Sequence, residues 1–201
     1  MPTAREIITF DAVPPPAGAT PWVDGATPSA DVTIVEHDPA WSDAYARLAD
    51  RVRAALGPVA LHVEHVGSTS VPGLPAKPII DIDLTVPDPD DEAAYVPALE
   101  VAGFELYLRE PWWYGHRCLR RTDVETNLHV FGPDCPETAR HRIFRDWLRA
   151  HPEDRDLYRD TKIAAAAATR AAGEHVMSYN GRKQQVIREI YGRAFAAAGL
   201  L

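Results

Sequence analysis

Cysteine is scarce in this sequence: Cys118 and Cys135 are the only two, and no metal-ligand spacing separates them. That excludes a disulfide framework and a cysteine-rich zinc site. Long apolar runs are missing too. The longest is built on the alanine stretch Ala164 to Ala168, preceded by Ile163, far short of the roughly 20 residues that cross a bilayer. Met1-Pro2-Thr3 has neither the charged nor the apolar part of a secretory signal. These absences together predict a cytoplasmic protein with free thiols and no membrane contact. A broad basic field is also lacking, because the formal net charge is −8. General nucleic-acid binding is therefore not expected. A small anion held in a local basic pocket is still compatible with that charge. No His-Glu-x-x-His spacing unites His62, His65, His141, His151 and His175, and no nucleophile elbow surrounds Ser68, Ser70 or Ser178.

What is present falls into three parts. Residues 11–31 are rich in Pro, Ala, Gly and Thr, with Pro14-Pro15-Pro16 at their centre, and read as an extended or mobile leader. Thr33-Ile34-Val35 predicts a short strand, and Asp38-Pro39 opens a helix that runs to Leu56 before Gly57-Pro58. Strands are predicted over 60–66, 78–86, 104–108, 117–121 and 127–131, with a helix over 92–102 closed by Gly103. From Pro136 strand signals vanish, and helices are expected over 137–150, 153–172 and 174–198.

Within the strand at 78–86, Ile79, Asp81 and Asp83 alternate with Ile80, Ile82 and Leu84. Period-two alternation puts both carboxylates on one face, about 6 to 7 Å apart. Fourteen residues before Asp81, Gly67-Ser68 ends the preceding strand. Glycine there lets backbone approach a phosphate, and the serine hydroxyl donates to it. Gly-Ser followed by Asp-x-Asp is the pattern that two divalent cations and a triphosphate need. Asp81 and Asp83 are therefore the candidate ligands for Mg2+ or Mn2+, with ATP or another nucleoside triphosphate as the candidate substrate. A structural alternative is a tight turn followed by a strand whose acids face solvent.

The stretches His65 to Leu74 and Ala76 to Ile82 resemble the signature of the GrpB family. The resemblance extends to Val32–Val35, Asp38–Trp41, Leu128-His129-Val130, Phe144–Arg149, and to Tyr158, Lys162, Tyr179 and Lys183. That family is placed in the nucleotidyltransferase superfamily. The resemblance implies an α+β fold: a nucleotidyltransferase-like mixed β-sheet with flanking helices, followed by a C-terminal helical segment. It would divide the chain into an N-terminal extension over 1–31, an αβ core over 32–135 and helices over 136–201. It also implies Gly67 and Ser68 as the phosphate-loop pair and Asp81 as a metal ligand. Members occur alone or fused behind dephospho-coenzyme A kinase, and this sequence shows no kinase segment, so a stand-alone role is expected.

Enzymes of that superfamily usually carry a third carboxylate on a later strand. Here Glu125, Asn127 and His129 share the corresponding face, and His129 is the candidate catalytic replacement, as a general base or a phosphate donor. Tyr158 with Lys162 and Tyr179 with Lys183 are i, i+4 pairs, each on one helix face. With Ser70, Lys77 and Arg145 they complete the expected binding set for a nucleotide or anionic metabolite. The aromatic stretch Pro111 to Arg117 reads either as a stacking surface or as a loop folded onto the core edge. Three functions fit: a metal-dependent nucleotidyltransferase-like enzyme, a non-catalytic nucleotide-binding or partner-stabilising module, and a small-metabolite enzyme working through His129.

Overall fold

The computed structural model describes every residue except Asp11 and Ala12, so the start of the predicted leader lies outside the described residues. Five strands form one mixed sheet: β1 (His62–Val66), β2 (Ile80–Thr85), β3 (Glu105–Glu110), β4 (His116–Arg121) and β5 (Thr126–Phe131). Their order is β1-β2-β5-β4-β3. β2 and β5 pair in parallel, placing Asp81 beside Asn127 and Asp83 beside His129, and every other pairing is antiparallel. The mixed α+β architecture read from the sequence is the one observed.

Alternation within the central strands decides the layering. Ile80, Ile82, Leu84, Leu128 and Val130 point to one side, where Leu48 and Val52 of α2 (Ala40–Leu56), Leu99 of α3 (Val96–Val101) and Tyr95 just before α3 are buried against them. The opposite face carries Asp81, Asp83, Asn127 and His129. Three C-terminal helices stand over it: α4 (Pro136–Ala150), α5 (Pro152–Ala171) and α6 (Val176–Ala197). A sheet face with polar central residues cannot close against helices as a dry core. A cavity remains between the two layers.

Three expectations change. Thr33–Val35 is not a strand, because Val35 forms only an isolated bridge with Ala76. Pro75 and Pro78 flank that partner, and prolines have no N–H to extend a ladder. The helix over 92–102 is divided into a 3-10 turn at Glu92–Ala94 and α3. Pro97 is tolerated only in a first helical turn, so the α-helix starts at Val96. The leader is extended but tethered, since Val23 donates to the Tyr107 carbonyl (3.1 Å) and Arg109 to that of Pro21 (2.8 Å), along the outer edge of β3.

A further helix, α1 (Ala4–Ile8), was not anticipated. It carries its own capping box from Thr3 and Glu6 and packs Ile7 with Tyr191 and Phe195 of α6. Arg140 of α4, only 1% exposed, holds it in place. Its guanidinium donates to the backbone carbonyls of Glu6, Ile7 and Thr9 and pairs with Glu137.

Candidate functional site

The cavity between the polar sheet face and the helices has two lobes, of about 580 and 320 Å³. Gly67, Ser68, Trp113, His141, Tyr158 and Asn180 line both, so the lobes are continuous. The smaller holds Lys77, Asp81, Asn127, His129, Lys162, Tyr179 and Lys183. Arg145 lies in the larger lobe instead, donating to the His65 carbonyl (3.0 Å) and paired with Asp146. Ser70 faces neither lobe: its hydroxyl donates back to the Gly67 carbonyl and its own carbonyl accepts from Arg149. The serine of the loop that meets the cavity is therefore Ser68 alone.

Gly67 has φ 67° and ψ −171°, a region that side chains other than hydrogen scarcely enter. A Cβ there would lie 2.3 Å from Oδ2 of Asp81. The loop backbone and the strand carboxylate are thus in direct contact, and only glycine permits it.

All three lysines of the chain, among 21 Lys and Arg residues, line the smaller lobe. The two i, i+4 pairs converge as their spacing suggested. Lys183 Nζ lies 3.9 Å from the Tyr179 ring centroid, Lys162 Nζ 5.1 Å from that of Tyr158, and Lys77 Nζ 5.6 Å from that of Tyr179. These are cation–π distances. Lys162 also donates to the Pro75 carbonyl at 2.6 Å. None of the three forms an ion pair among the described residues, and Asp81 is the only carboxylate on the walls of this lobe. Burial, reinforced by the like charge of Lys77, lowers Lys183 to about 7. Burial and the neighbouring Lys183 likewise push Lys162 well below the ordinary lysine range. Among the described residues no side-chain nitrogen or oxygen is both buried and unpartnered, so the free amines keep access to the cavity.

The carboxylates of β2 each meet a histidine. Asp83, almost fully buried, accepts from Nδ1 of His141 with both oxygens, at 2.9 and 3.1 Å. The other ring nitrogen of His141 faces Glu137 at 3.5 Å. Burial disfavours charge on His141, but these two acids outweigh it and raise its pKa to about 10. Asp81 accepts from the Asn127 amide at 2.9 Å and lies 3.8 Å from Nε2 of His129. Burial opposes ionisation of Asp81, yet the nearby His129 imidazolium and the hydrogen bond from Asn127 prevail and hold its pKa low. On His129 burial again works against charge, while Cys118 and Asp81 raise it well above the usual range. A line of contacts continues behind it: Nδ1 of His129 meets Nε2 of His116 at 3.0 Å, and Nδ1 of His116 meets Glu110 at 2.8 Å. Burial lowers His116 to about 4, so it is neutral, donating to Glu110 and accepting from His129.

This donor set does not fit the expected pair of divalent cations. Both Asp83 oxygens are taken by an imidazolium, and among the described residues no group of three His, Cys, Asp or Glu side chains is placed to hold a metal ion. The sequence placed Asp81, Asp83 and His129 on one side correctly, but their partners His116, His141 and Glu137 went unrecognised. Glu137 and His141 stand at i, i+4 spacing on α4, a signal that was available.

Asp83→Asn supplies a check on this pairing. His141 with a folded pKa near 10 stabilises the protein fully below its unfolded pKa, near 6.5, and the contribution is lost as pH rises through about 10. The His141 ring resonance in NMR should therefore stay that of imidazolium from pH 5 to 8.5 in the wild type. In Asp83→Asn it should titrate at least one pH unit lower. A resonance titrating near pH 6.5 in both proteins would refute the pairing.

Comparison with known proteins adds relatives to this geometry. Residues 31–193 match the family model described as GrpB protein. A UPF0157 protein of Halalkalibacterium halodurans is 48% identical over 168 residues, covering 84% of this chain and 85% of that protein. The protein named dephospho-CoA kinase in Mycolicibacterium paratuberculosis is 31% identical over 192 residues, covering 83% of this chain but only 46% of the relative. Among solved structures, the conserved protein GrpB from Enterococcus faecalis superposes with a TM-score of 0.71 at 28% identity, over 83% of this chain and 99% of its own.

Proposed function

The chain belongs to the GrpB family, and on that premise we propose that its cleft binds a phosphorylated small molecule, a nucleoside triphosphate by preference, with the phosphates in the smaller lobe. The placement of the lysines carries this reading. Three clustered amines, two of them buried and one half-buried, facing a single carboxylate are unfavourable in an empty protein, and an anion is what offsets them. Phosphate oxygens accept from Lys77, Lys162 and Lys183 and from the Ser68 hydroxyl, while His129 adds an imidazolium donor beside Asp81. These groups supply the positive charge that the sequence reading assigned to Mg2+ or Mn2+. The likeness to proteins named dephospho-CoA kinase supports a nucleotide-related ligand.

A thermal-shift series with ATP, GTP, CTP, UTP and inorganic tripolyphosphate tests this, each in EDTA and again with Mg2+ or Mn2+. Binding should stabilise the protein in EDTA, by about 2.7 kcal/mol at a hundredfold excess over the dissociation constant. Stabilisation that requires the metal would return Asp81 and Asp83 to the role of ligands. Silence from every phosphate would sink the reading.

A further inference from the structure

The larger lobe has a different chemistry, and nothing in the phosphate reading accounts for it. Helix α6 presents two rows along the cleft. Tyr179, Lys183, Ile187 and Tyr191 form an inner row. Asn180, Gln184 and Arg188, spaced four residues apart, form a lip beside it that lines the larger lobe. At 1.5 Å rise per residue that lip is about 12 Å long. Its two amides make no side-chain hydrogen bond among the described residues. Arg188 lies over Phe10, its guanidinium carbon 3.5 Å from the ring centroid. Phe10 itself packs on Tyr191 at 5.1 Å, and Trp113 stands at the junction of the lobes. Aromatic faces, a stacked guanidinium and free amides are what a flat heteroaromatic ring needs: stacking on its faces and hydrogen bonds at its edge.

We propose that the larger lobe is a nucleobase subsite, walled by Phe10 and Arg188 and edged by the amides of Asn180 and Gln184. It rests on the phosphate reading of the smaller lobe. A nucleoside triphosphate then lies across α6, with phosphates at Lys183 on the inner row and its base against the lip beside it, where Asn180 and Gln184 flank Lys183 in sequence and Arg188 stands just over one turn beyond. Phe10 belongs to the N-terminal segment, which precedes the matched residues 31–193. Base stacking in this protein is therefore set partly by a residue outside the family match.

Calorimetric titration of the full chain with ATP and with inorganic tripolyphosphate, both in EDTA, tests the subsite. The wild type should bind ATP at least tenfold more tightly than tripolyphosphate, the size of one base-stacking contact. Phe10→Ala and Gln184→Ala should each remove most of that preference and leave tripolyphosphate affinity unchanged. Gln184 is exposed, so its variant folds normally even if Phe10→Ala loosens the segment. Equal wild-type affinity for the two ligands, or equal weakening of both by Gln184→Ala, overturns the base subsite and leaves the phosphate site standing. Loss of binding to both ligands in the wild type overturns the phosphate reading itself.

Discussion

Lys183→Met is expected to bind tripolyphosphate at least tenfold more weakly than the wild type and yet to melt at a higher temperature when empty. Both effects have one cause. The Lys183 amine is buried, faces tyrosine rings instead of a carboxylate, and is kept near the edge of deprotonation by burial and by Lys77. Methionine fills a similar volume without charge, and replacing a buried charge by an apolar side chain is often stabilising, here by about 1 to 3 kcal/mol. Affinity moves the other way because a charge-assisted hydrogen bond to phosphate is worth about 1.5 to 3 kcal/mol. Adding Lys162→Met should extend the loss to at least a hundredfold.

The pH dependence has a definite sign. Between about pH 7 and the ordinary lysine value of 10.5 the unfolded chain holds a proton that native Lys183 has released. Stability of the empty protein should therefore rise with pH across that window, and the slope should flatten in Lys183→Met. Phosphate binding recharges the amine, so titrations near pH 8 in buffers of different ionisation enthalpy should register proton uptake in the wild type and less in the variant. A variant that melts lower and binds normally would show that the lysine is a packing element and not a ligand group.

Gly67→Ala should be the most damaging single methyl addition in the chain, costing on the order of 3 to 5 kcal/mol in denaturant unfolding. Two effects combine. The left-handed φ of 67° strains any L side chain, and the new Cβ would lie 2.3 Å from Oδ2 and 2.9 Å from Cβ of Asp81. Asp81 lies on a central strand paired on both sides, so it cannot retreat. The loop must move instead, carrying Ser68 away from both lobes. Gly73, also at positive φ but with open space around its Cβ position, is the control. Gly73→Ala should show the conformational cost alone, about 1 to 2 kcal/mol. Equal losses at the two positions would mean that the contact with Asp81 has no energetic weight.

Much of this arrangement was legible because it is periodic. The alternation from Ile79 to Leu84 assigned each side chain of β2 to its face, and i, i+4 spacing aligned Tyr158 with Lys162 and Tyr179 with Lys183. Periodicity speaks only within one element. It does not say which residue of another layer fills the space opposite, so the histidines that take Asp83 and Asp81 were invisible as partners, and two carboxylates read as a metal pair. The confinement of all three lysines to one cavity was likewise hidden, although their scarcity beside so many arginines was countable. A flexible, strongly hydrated amine is rarely buried without function. The docking of the first ten residues had no signal beyond Thr3 and Glu6, because the side chain that holds them, Arg140, is about 130 residues away.

That distant grip has an evolutionary consequence. Arg140 takes hold of α1 through the carbonyls of Glu6, Ile7 and Thr9, and every amino acid brings the same carbonyl. The anchor is therefore blind to which side chains the segment carries. Residue 10 can be exchanged while those three carbonyl bonds stay in place, although the packing of Phe10 on Tyr191 and Phe195 changes with it, which makes the wall of the larger lobe a replaceable part: mutation can retune it for a different ligand while the cleft behind it is left as it stands.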